Sequence, residues 1–531
     1  MTALAVAALL GALVATALAG LRWLRVAQRE HYHAGSAIRF ALRWWLGNGP
    51  NRLLLGAAVL GVALVPLTPA AGFAASAAIA VGPFGLGLKG RTSKLAWTRR
   101  LKTLAGVAAI LAAIPPVAGL VLGGLRGGAA LAVVVAVLVP VIVDIACAVL
   151  APVEGAKAKK FVEQAKAKLA DIGPQVVAIT GSYGKTSTKG YVVHLAGSTR
   201  VIVPSPASFN NVAGLSRAVN EQLTPGTQVF VAEMGTYGRG EIAALVDWLR
   251  PDIAAITAIG PVHLERFGTE DAIVEAKAEI FAHATVAVLN VDDPRLAALA
   301  DRLIARGQVG DGDIDTGPRR VVRCSAVDEQ ADVCVTAEGR FLVGGTLVGE
   351  VGPVDVQPTN VAVAAAFALE LHTPAEVVAA RIPTLPPIPN RLAVTTGTTG
   401  ATILDDTYNS NPAGAAAALT ALSRESVRAD AARLGGTHRI VVTPGMVELG
   451  PRQFEENKRF ATAAVEVATH LLIVGRTNQR ALQAGAADGH GRGGAQVVLM
   501  PTRPDAVEWV RQRVGPGDVI LYENDLPDHF A

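Results

Sequence analysis

Three stretches within the first 153 residues, 2–21, 53–88 and 103–153, carry only two charges between them, Arg126 and Asp144. A helix needs about 20 apolar residues to cross a bilayer core, so stretches of this kind constrain the fold before any other feature does. Residues 2–21 are long enough for one crossing, and because basic residues follow the run instead of preceding it, a spanning helix is expected in place of a cleaved signal peptide. Residues 53–88, with Pro66 and Pro69 near the middle, predict a helical hairpin, and residues 103–125 and 127–153, parted by Arg126, predict another. Five crossings are expected.

The lysines and arginines fall between these runs. Arg22, Arg25, Arg29, Arg39, Arg43 and Arg52 fill the first connection, and Lys89, Arg91, Lys94, Arg99, Arg100 and Lys102 the second. Lys157, Lys159, Lys160, Lys166 and Lys168 follow the last run. The positive-inside rule then predicts an inner-membrane, multi-pass protein with its amino terminus outside and everything after about residue 154 in the cytoplasm. Asp144 lies near the cytoplasmic end of its run, where interfacial solvation is the favoured reading over a functional carboxylate. The segment 23–45 mixes arginines with Trp23, His31, Tyr32, Phe40, Trp44 and Trp45, and two readings stay open for it: a lipid-headgroup site, or an anchoring belt.

Composition narrows the function classes. Of 531 residues, 51% are hydrophobic and 17% charged, with a mean hydropathy of +0.38. Globular chains average about 25% charged, so an ordinary soluble enzyme is not expected. The net charge of +4, from 48 basic and 44 acidic residues, gives no reason to expect nucleic acid as a partner. Cys147, Cys324 and Cys334 form no disulfide framework or zinc-ligand spacing, which fits a reducing compartment.

From Gln175 the pattern turns to strand, loop and helix. The apolar run 175–180 (QVVAIT) predicts a buried parallel strand, and it leads into TGSYGKTSTK. Gly181, Ser182, Tyr183, Gly184, Lys185, Thr186 and Ser187 are expected to cradle nucleotide phosphates, with backbone amides turned to the anion, Lys185 on the outer phosphates and the Thr186 hydroxyl on Mg2+. Ile179 stands where the full Walker pattern has its first glycine. Further strands are predicted at 229–233, 253–259 and 285–290, so that Glu233, His263 and Asn290 gather at the carboxyl edge as a metal and phosphate site.

Eight motifs in order then carry a family resemblance: TGSYGKTST, FNN, AEMG with GEI, HLERFG with AKAEIF, NVDDP, NR, DDTYNSNP and GMVELG. Over about residues 170–525 the chain resembles the Mur ligases, most closely the D-alanyl-D-alanine-adding type. The resemblance implies a P-loop Mur ligase central domain and a Rossmann-like carboxy-terminal domain behind the membrane α-helical segment, an α/β fold overall. It implies that Lys185, His263, Lys277 and Arg391 are catalytic, and that Thr186, Glu233, His263 and Lys277 serve Mg2+, with Lys277 carbamylated. Asn290 would approach the adenine, Arg391 the phosphates and Asp406 the ribose, while Asn210, Asn211, Tyr408, Asn409 and Asn411 would face substrate.

That chemistry suits the residue types. A carboxylate must first become an acyl phosphate before an amine attacks it, and Lys185, Arg391 and one or two Mg2+ ions would offset the charge that builds on the transferring phosphoryl group. A carbamate on Lys277 would give Mg2+ the hard oxygen ligands it prefers. Several positions depart from the family: Thr359 and Asn457 stand where histidines are usual, residues 517–530 are acidic where a Lys-Gly-Ser-Arg stretch is usual, and the membrane segment stands where the UDP-holding domain is usual.

The expected plan is a transmembrane region over 1–153, a basic linking helix over 154–170, an ATP-binding domain over 171–385 and an α/β domain over 386–531, with the Pro-rich 385–391 as hinge. The leading expectation for function is a membrane-anchored, ATP-dependent amide ligase acting on a cell-envelope precursor. Its partners would be the lipid bilayer, a polyprenyl-linked precursor and other envelope-synthesis enzymes. A synthase adding glutamate repeatedly, as in poly-γ-glutamate or folylpolyglutamate formation, and a non-catalytic nucleotide-binding scaffold are the alternatives.

Overall fold

The structure, a computed structural model, describes every residue except 1, 89–94, 207–208, 263, 309–317, 355, 387, 389–391, 409–410, 432–437, 527–529 and 531. It divides into two units, one of Met1–Lys157 with Leu526–Ala531 and one of Ala158–Asp525.

The first unit is helical: α1 (Thr2–Arg29), α2 (Ser36–Leu46), α3 (Gly49–Leu64), α4 (Pro69–Val81) and α5 (Arg99–Ile172) as far as Lys157, with its helical geometry broken at Gly123 and Gly124. The two hairpins lie where the apolar runs place them. Pro66 and Pro69 sit at the turn between α3 and α4, and the second turn falls at Gly123–Gly124, just before Arg126. Gly119 and Gly127 allow the arms of that second hairpin to touch, since a Cβ on Gly119 would lie 2.5 Å from the Gly127 carbonyl oxygen.

By length and composition α1 and α5 suffice to cross a membrane. The helices α3 and α4 are apolar but have 16 and 13 residues. At about 1.5 Å per residue they fall short of a hydrocarbon core about 30 Å thick, so lengths do not support the expected five crossings.

Further details of this unit add to or differ from expectation. The first connection contains a helix, α2. The helix expected over the basic segment 154–170 is continuous with the last apolar run, since α5 continues to Ile172. Asp144 is buried, and its carboxylate accepts from the amides of Ala37 (3.1 Å) and Ile38 (2.8 Å), capping α2 in place of Gly35, which has no side chain to do so. The aromatic residues Trp23, Phe40, Trp44 and Trp45 are core side chains of this unit and form no surface belt. Arg22 is buried as well, and its guanidinium donates to the carbonyls of Ala80 (2.7 Å), Leu86, Ile79 and Val81 around the end of α4.

The second unit holds two sheets. The first begins with β1 (Gln175–Thr180), α6 (Lys185–Ala196), β2 (Ile202–Pro204), α7 (Val212–Gln222), β3 (Val229–Glu233), α8 (Glu241–Leu249) and β4 (Ile253–Ile256). It continues through α9 (Leu264–Phe267), α10 (Glu270–Ala278), β5 (Val286–Asn290), α11 (Pro294–Gln308), β6 (Arg320–Ser325), β7 (Val333–Val335), β8 (Arg340–Val343) and β9 (Thr346–Glu350), and closes with α12 (Pro358–Glu370) and α13 (Ala375–Arg381). Its order is β2-β3-β1-β4-β5-β6-β7-β8-β9, parallel up to β7 and antiparallel beyond. The strands β1, β3 and β4 are buried almost throughout, as continuous apolar runs demand when helices cover both faces.

The second sheet comprises β10 (Ala393–Thr396), β11 (Thr402–Asp406), α14 (Pro412–Ala431), β12 (Arg439–Thr443), α15 (Gln453–Val467), β13 (His470–Val474), α16 (Gln479–Gly493), β14 (Gln496–Met500), α17 (Arg503–Arg511) and β15 (Val519–Glu523). Its order is β10-β11-β15-β12-β13-β14, with only β10 antiparallel. In both sheets the parallel strands end at one edge, where polar residues meet.

Candidate functional site

The first edge is built around the turn from β1 into α6. Gly181 has φ +153 and Gly184 φ +79, and a Cβ on Gly184 would lie 2.2 Å from the Asn360 Oδ1 atom, so the loop admits no side chain at that point. No side chain caps α6, and the Lys185 ammonium folds back to donate to the Gly181 carbonyl at 2.7 Å. Glycine-permitted turns, uncapped helix amides and a lysine over the loop are the elements of a phosphate cradle.

Glu233, at the end of the neighbouring β3, is buried. Its carboxylate accepts from the Thr186 hydroxyl at 3.0 and 3.1 Å and from the Lys189 ammonium at 2.9 Å. Its backbone amide donates to the Ser205 hydroxyl. A hydroxyl and a carboxylate in contact beside a phosphate loop form a hard-oxygen donor set that fits Mg2+. Lys189 escaped the sequence reading, although it lies one helical turn after Lys185 in the same motif and therefore faces the same edge.

Lys277, on α10, is buried. Burial, with the Lys185 charge as a lesser cause, holds its amine well below the usual lysine range. Asn290 ends β5 and donates to the Thr257 carbonyl at 3.0 Å, tying β4 to β5. Thr257 in turn donates to the carbonyls of Thr180 and Tyr183, so it fixes the loop from below. The Tyr183 hydroxyl is buried without a hydrogen bond, and burial first, then the Glu270 and Glu456 charges, push its pKa up. Glu270 also pairs with Arg295 and with Arg452 (2.8 Å), the latter from the loop after β12. Ser182 exchanges hydrogen bonds with the backbone of Gly260, and Ser187 is buried at the start of α6.

Several expected substrate-side residues have local roles. Asn211 caps α7 by accepting from the Gly214 amide, and Asn411 accepts from the Gly414 amide at the start of α14. The Asn210 side chain packs on Gly235, between β3 and α8. Asp406 ends β11 and accepts from the Leu392 amide, while Tyr408 is exposed beyond it. His263, Arg391 and Asn409 lie outside the described residues, and among the described residues no cluster of three histidine, cysteine or acidic side chains is placed to hold a metal.

The second edge carries Thr443, Glu523 and Asn524, none of them anticipated individually. Glu523 is fully buried and accepts from the Thr443 hydroxyl. Asn457, read as a replacement for histidine, accepts from the Met446 amide and donates to the carbonyls of Met446 and Gln453, bracing the loop after β12.

The Mur ligase middle domain matches residues 179–319, and the Mur ligase glutamate ligase domain matches residues 390–522. The UDP-N-acetylmuramoyl-tripeptide–D-alanyl-D-alanine ligase of Mycobacterium tuberculosis is 33% identical over 382 residues, covering 68% of this chain and 72% of the relative. The chain belongs to the Mur ligase family. An Escherichia coli ligase of the same description is 28% identical over 289 residues, covering 52% of this chain and 59% of its own. In fold, this Mur ligase matches MurF from Thermotoga maritima in complex with ADP, with a TM-score of 0.55 at 24% identity over 69% of this chain and 80% of that one. It also matches MurF from Acinetobacter baumannii, with a TM-score of 0.54 at 22% identity over 69% and 77%. It is thus an ATP-dependent ligase that forms amide bonds, in a family that uses ATP and Mg2+.

Proposed function

We propose that this Mur ligase joins an amino acid or D-alanyl-D-alanine to a peptide carboxylate of a peptidoglycan-related precursor, through an acyl phosphate, while held at a membrane. The observation that carries the reading is the juxtaposition of the phosphate loop with the Thr186–Glu233 pair. Lys185 binds the transferring phosphoryl group, and Thr186 and Glu233 hold Mg2+, which supplies charge neutralisation there when bound. Arg391 and His263 act on the phosphates and the metal, Asn290 on the adenine and Asp406 on the ribose. Asn210, Asn211, Tyr408, Asn409 and Asn411 serve the substrate in this reading.

Lys277 is carbamylated in this reading. Its buried amine is disfavoured as a cation, and the neutral form is the one that attacks carbon dioxide, releasing a proton. Intact-mass measurement with and without bicarbonate checks this by a gain of one carbon dioxide that Lys277→Ala loses.

The apolar helices α1 and α5 anchor the enzyme in the cytoplasmic membrane, and exposed cations of the same unit, Arg43, Arg99 and Lys102, have the sign of charge that attracts a phosphorylated polyprenyl headgroup or other anionic lipid. The acceptor is then lipid-linked, and other envelope-synthesis enzymes are neighbours. The test offers the full chain in nanodiscs soluble UDP-linked peptide or lipid-linked peptide, with ATP, Mg2+ and a panel of amino acids and dipeptides. Amide product from the lipid-linked peptide supports the reading, equal use of the soluble one removes its lipid part, and no amide product from either overturns it.

A further inference from the structure

The helix α1 uses two faces. Its alanine stripe, Ala5, Ala8, Ala12, Ala15 and Ala19, is buried, and at α4 a Cβ on Gly72 would lie 3.6 Å from that of Ala8. A neighbouring face, with Leu13, Ala17, Gly20 and Leu24 at helical spacing, lines a groove of about 310 Å³. The first arm of α5 supplies the second wall at the same spacing through Ala105, Ala109, Ala112 and Pro116, and the second arm supplies the floor through Val135, Val139 and Val143. The floor is buried, whereas Leu13, Ala17, Ala109 and Ala113 are exposed along the rim, so the groove opens sideways.

From Leu13 to Leu24, and from Ala105 to Pro116, each wall rises about 16 Å, close to one leaflet of a hydrocarbon core about 30 Å thick. Spread over that length, the volume makes a slot for one hydrocarbon chain and leaves no room for a second. Among the described lining residues only Thr16 has a polar side chain, so the groove offers little to a polar occupant. The arms of α5 meet at Gly119 and Gly127, which closes the groove at one end. Its open side lets the remainder of a longer chain run out into the bilayer.

The other end is cationic. There the two walls are tied together, because the Gln28 side chain exchanges hydrogen bonds with the Ala96 backbone at 2.7 and 3.0 Å. Lys102 is exposed one turn before Ala105 and on the same face, and Arg99 is exposed one turn earlier. The nearby acids are engaged elsewhere: Asp144, next to Val143, caps α2, and Glu154 pairs with Arg100. The occupant that fits is apolar, single-chained and anionic at its head, whereas a phospholipid with two chains would leave one outside. Resting on the reading of the acceptor as lipid-linked, we propose that the groove holds the chain of the polyprenyl phosphate that carries it. Lys102 and Arg99 then meet the phosphate.

The experiment titrates lipids onto the full chain in detergent and reads the bound complexes by native mass spectrometry. The probes are polyprenyl monophosphate, polyprenol without the phosphate, and phosphatidic acid, which has the same phosphate on two chains. Wild type is expected to bind polyprenyl phosphate about tenfold more tightly than either of the others, as two nearby cations and a single-chain slot require. Ala109→Phe with Ala113→Phe fills the groove from exposed positions and is expected to remove that preference. Lys102→Ala is expected to weaken polyprenyl phosphate severalfold and leave polyprenol unchanged. Ile110→Phe, exposed on the same helix but outside the groove, is expected to bind as wild type does. Thermal unfolding of each variant confirms the fold. Equal binding of phosphatidic acid by wild type, or a preference that survives in the folded double variant, overturns the inference. Binding is measured without ATP, so a chain that binds polyprenyl phosphate but forms no amide on lipid-linked peptide overturns the reading of the acceptor and keeps the groove.

Discussion

Glu233 and Glu523 both end an interior parallel strand, both are buried, and both accept from a threonine hydroxyl on a neighbouring element. Their surroundings are otherwise opposite. Glu233 has a buried lysine at 2.9 Å, placed there by the helix that follows the phosphate loop, whereas Glu523 has a second carboxylate nearby and an oxygen without a partner. A charge matched from within the chain belongs to a site that is preorganised before its ligands arrive. A charge left unmatched marks a place where a proton or a ligand completes the structure.

The sharpest way to break this comparison is to remove the internal partner. Lys189→Met leaves Glu233 buried and unpaired and is expected to destabilise the second unit by about 3–5 kcal/mol in chemical denaturation. A loss as small as that of an exposed ion pair would mean that Glu233 is already accommodated without Lys189. Next in size, Lys185→Ala is expected to lower kcat for amide formation by about 10²- to 10³-fold, as when one preorganised donor to developing charge is removed, with little change in stability. Near-normal turnover would take the phosphate loop out of the site.

Glu523 provides the converse. Its folded pKa of about 8 lies above the ordinary 4.5, so between these values the folded state holds a proton that the unfolded state has released. Its stabilising contribution is complete below pH 4.5 and is lost as pH rises toward and through about 8. Glu523→Gln is expected to raise the melting temperature at pH 8, leave it little changed at pH 4.5 and flatten the profile between. An unaltered pH profile would contradict the unmatched-charge reading. The smallest effect is expected for Asn411→Ala, where loss of the cap on α14 costs about 1 kcal/mol and ATP binding is retained.

The phosphate-loop edge was legible because its determinants are contiguous: a continuous apolar strand, two glycines and a lysine within ten residues. The strands β6 to β9 were not, since their polar and apolar positions mix and Gly344 and Gly345 interrupt them, as suits the half-covered side of a sheet. The continuity of α5 from the apolar run into the basic segment was not legible, because a change from apolar to lysine-rich sequence alters what a helix faces without ending it. Glu523 was visible only as acidity in place of a basic stretch. Its meaning depends on Thr443 and Asp406, which are brought beside it by strand order and not by sequence distance.

Arg22 has a consequence for how such a chain presents itself electrically. The carbonyl end of a helix carries a partial negative charge, and at α4 that end is met by the guanidinium of a residue on α1. Much of the positive charge is therefore offset inside the unit, and Arg22 contributes less to its outer potential than a count of basic residues assigns. Lysine at this position would keep the formal charge while losing the planar fork that reaches several carbonyls at once, so a substitution invisible to any charge-based topology rule would still loosen α4 from α1.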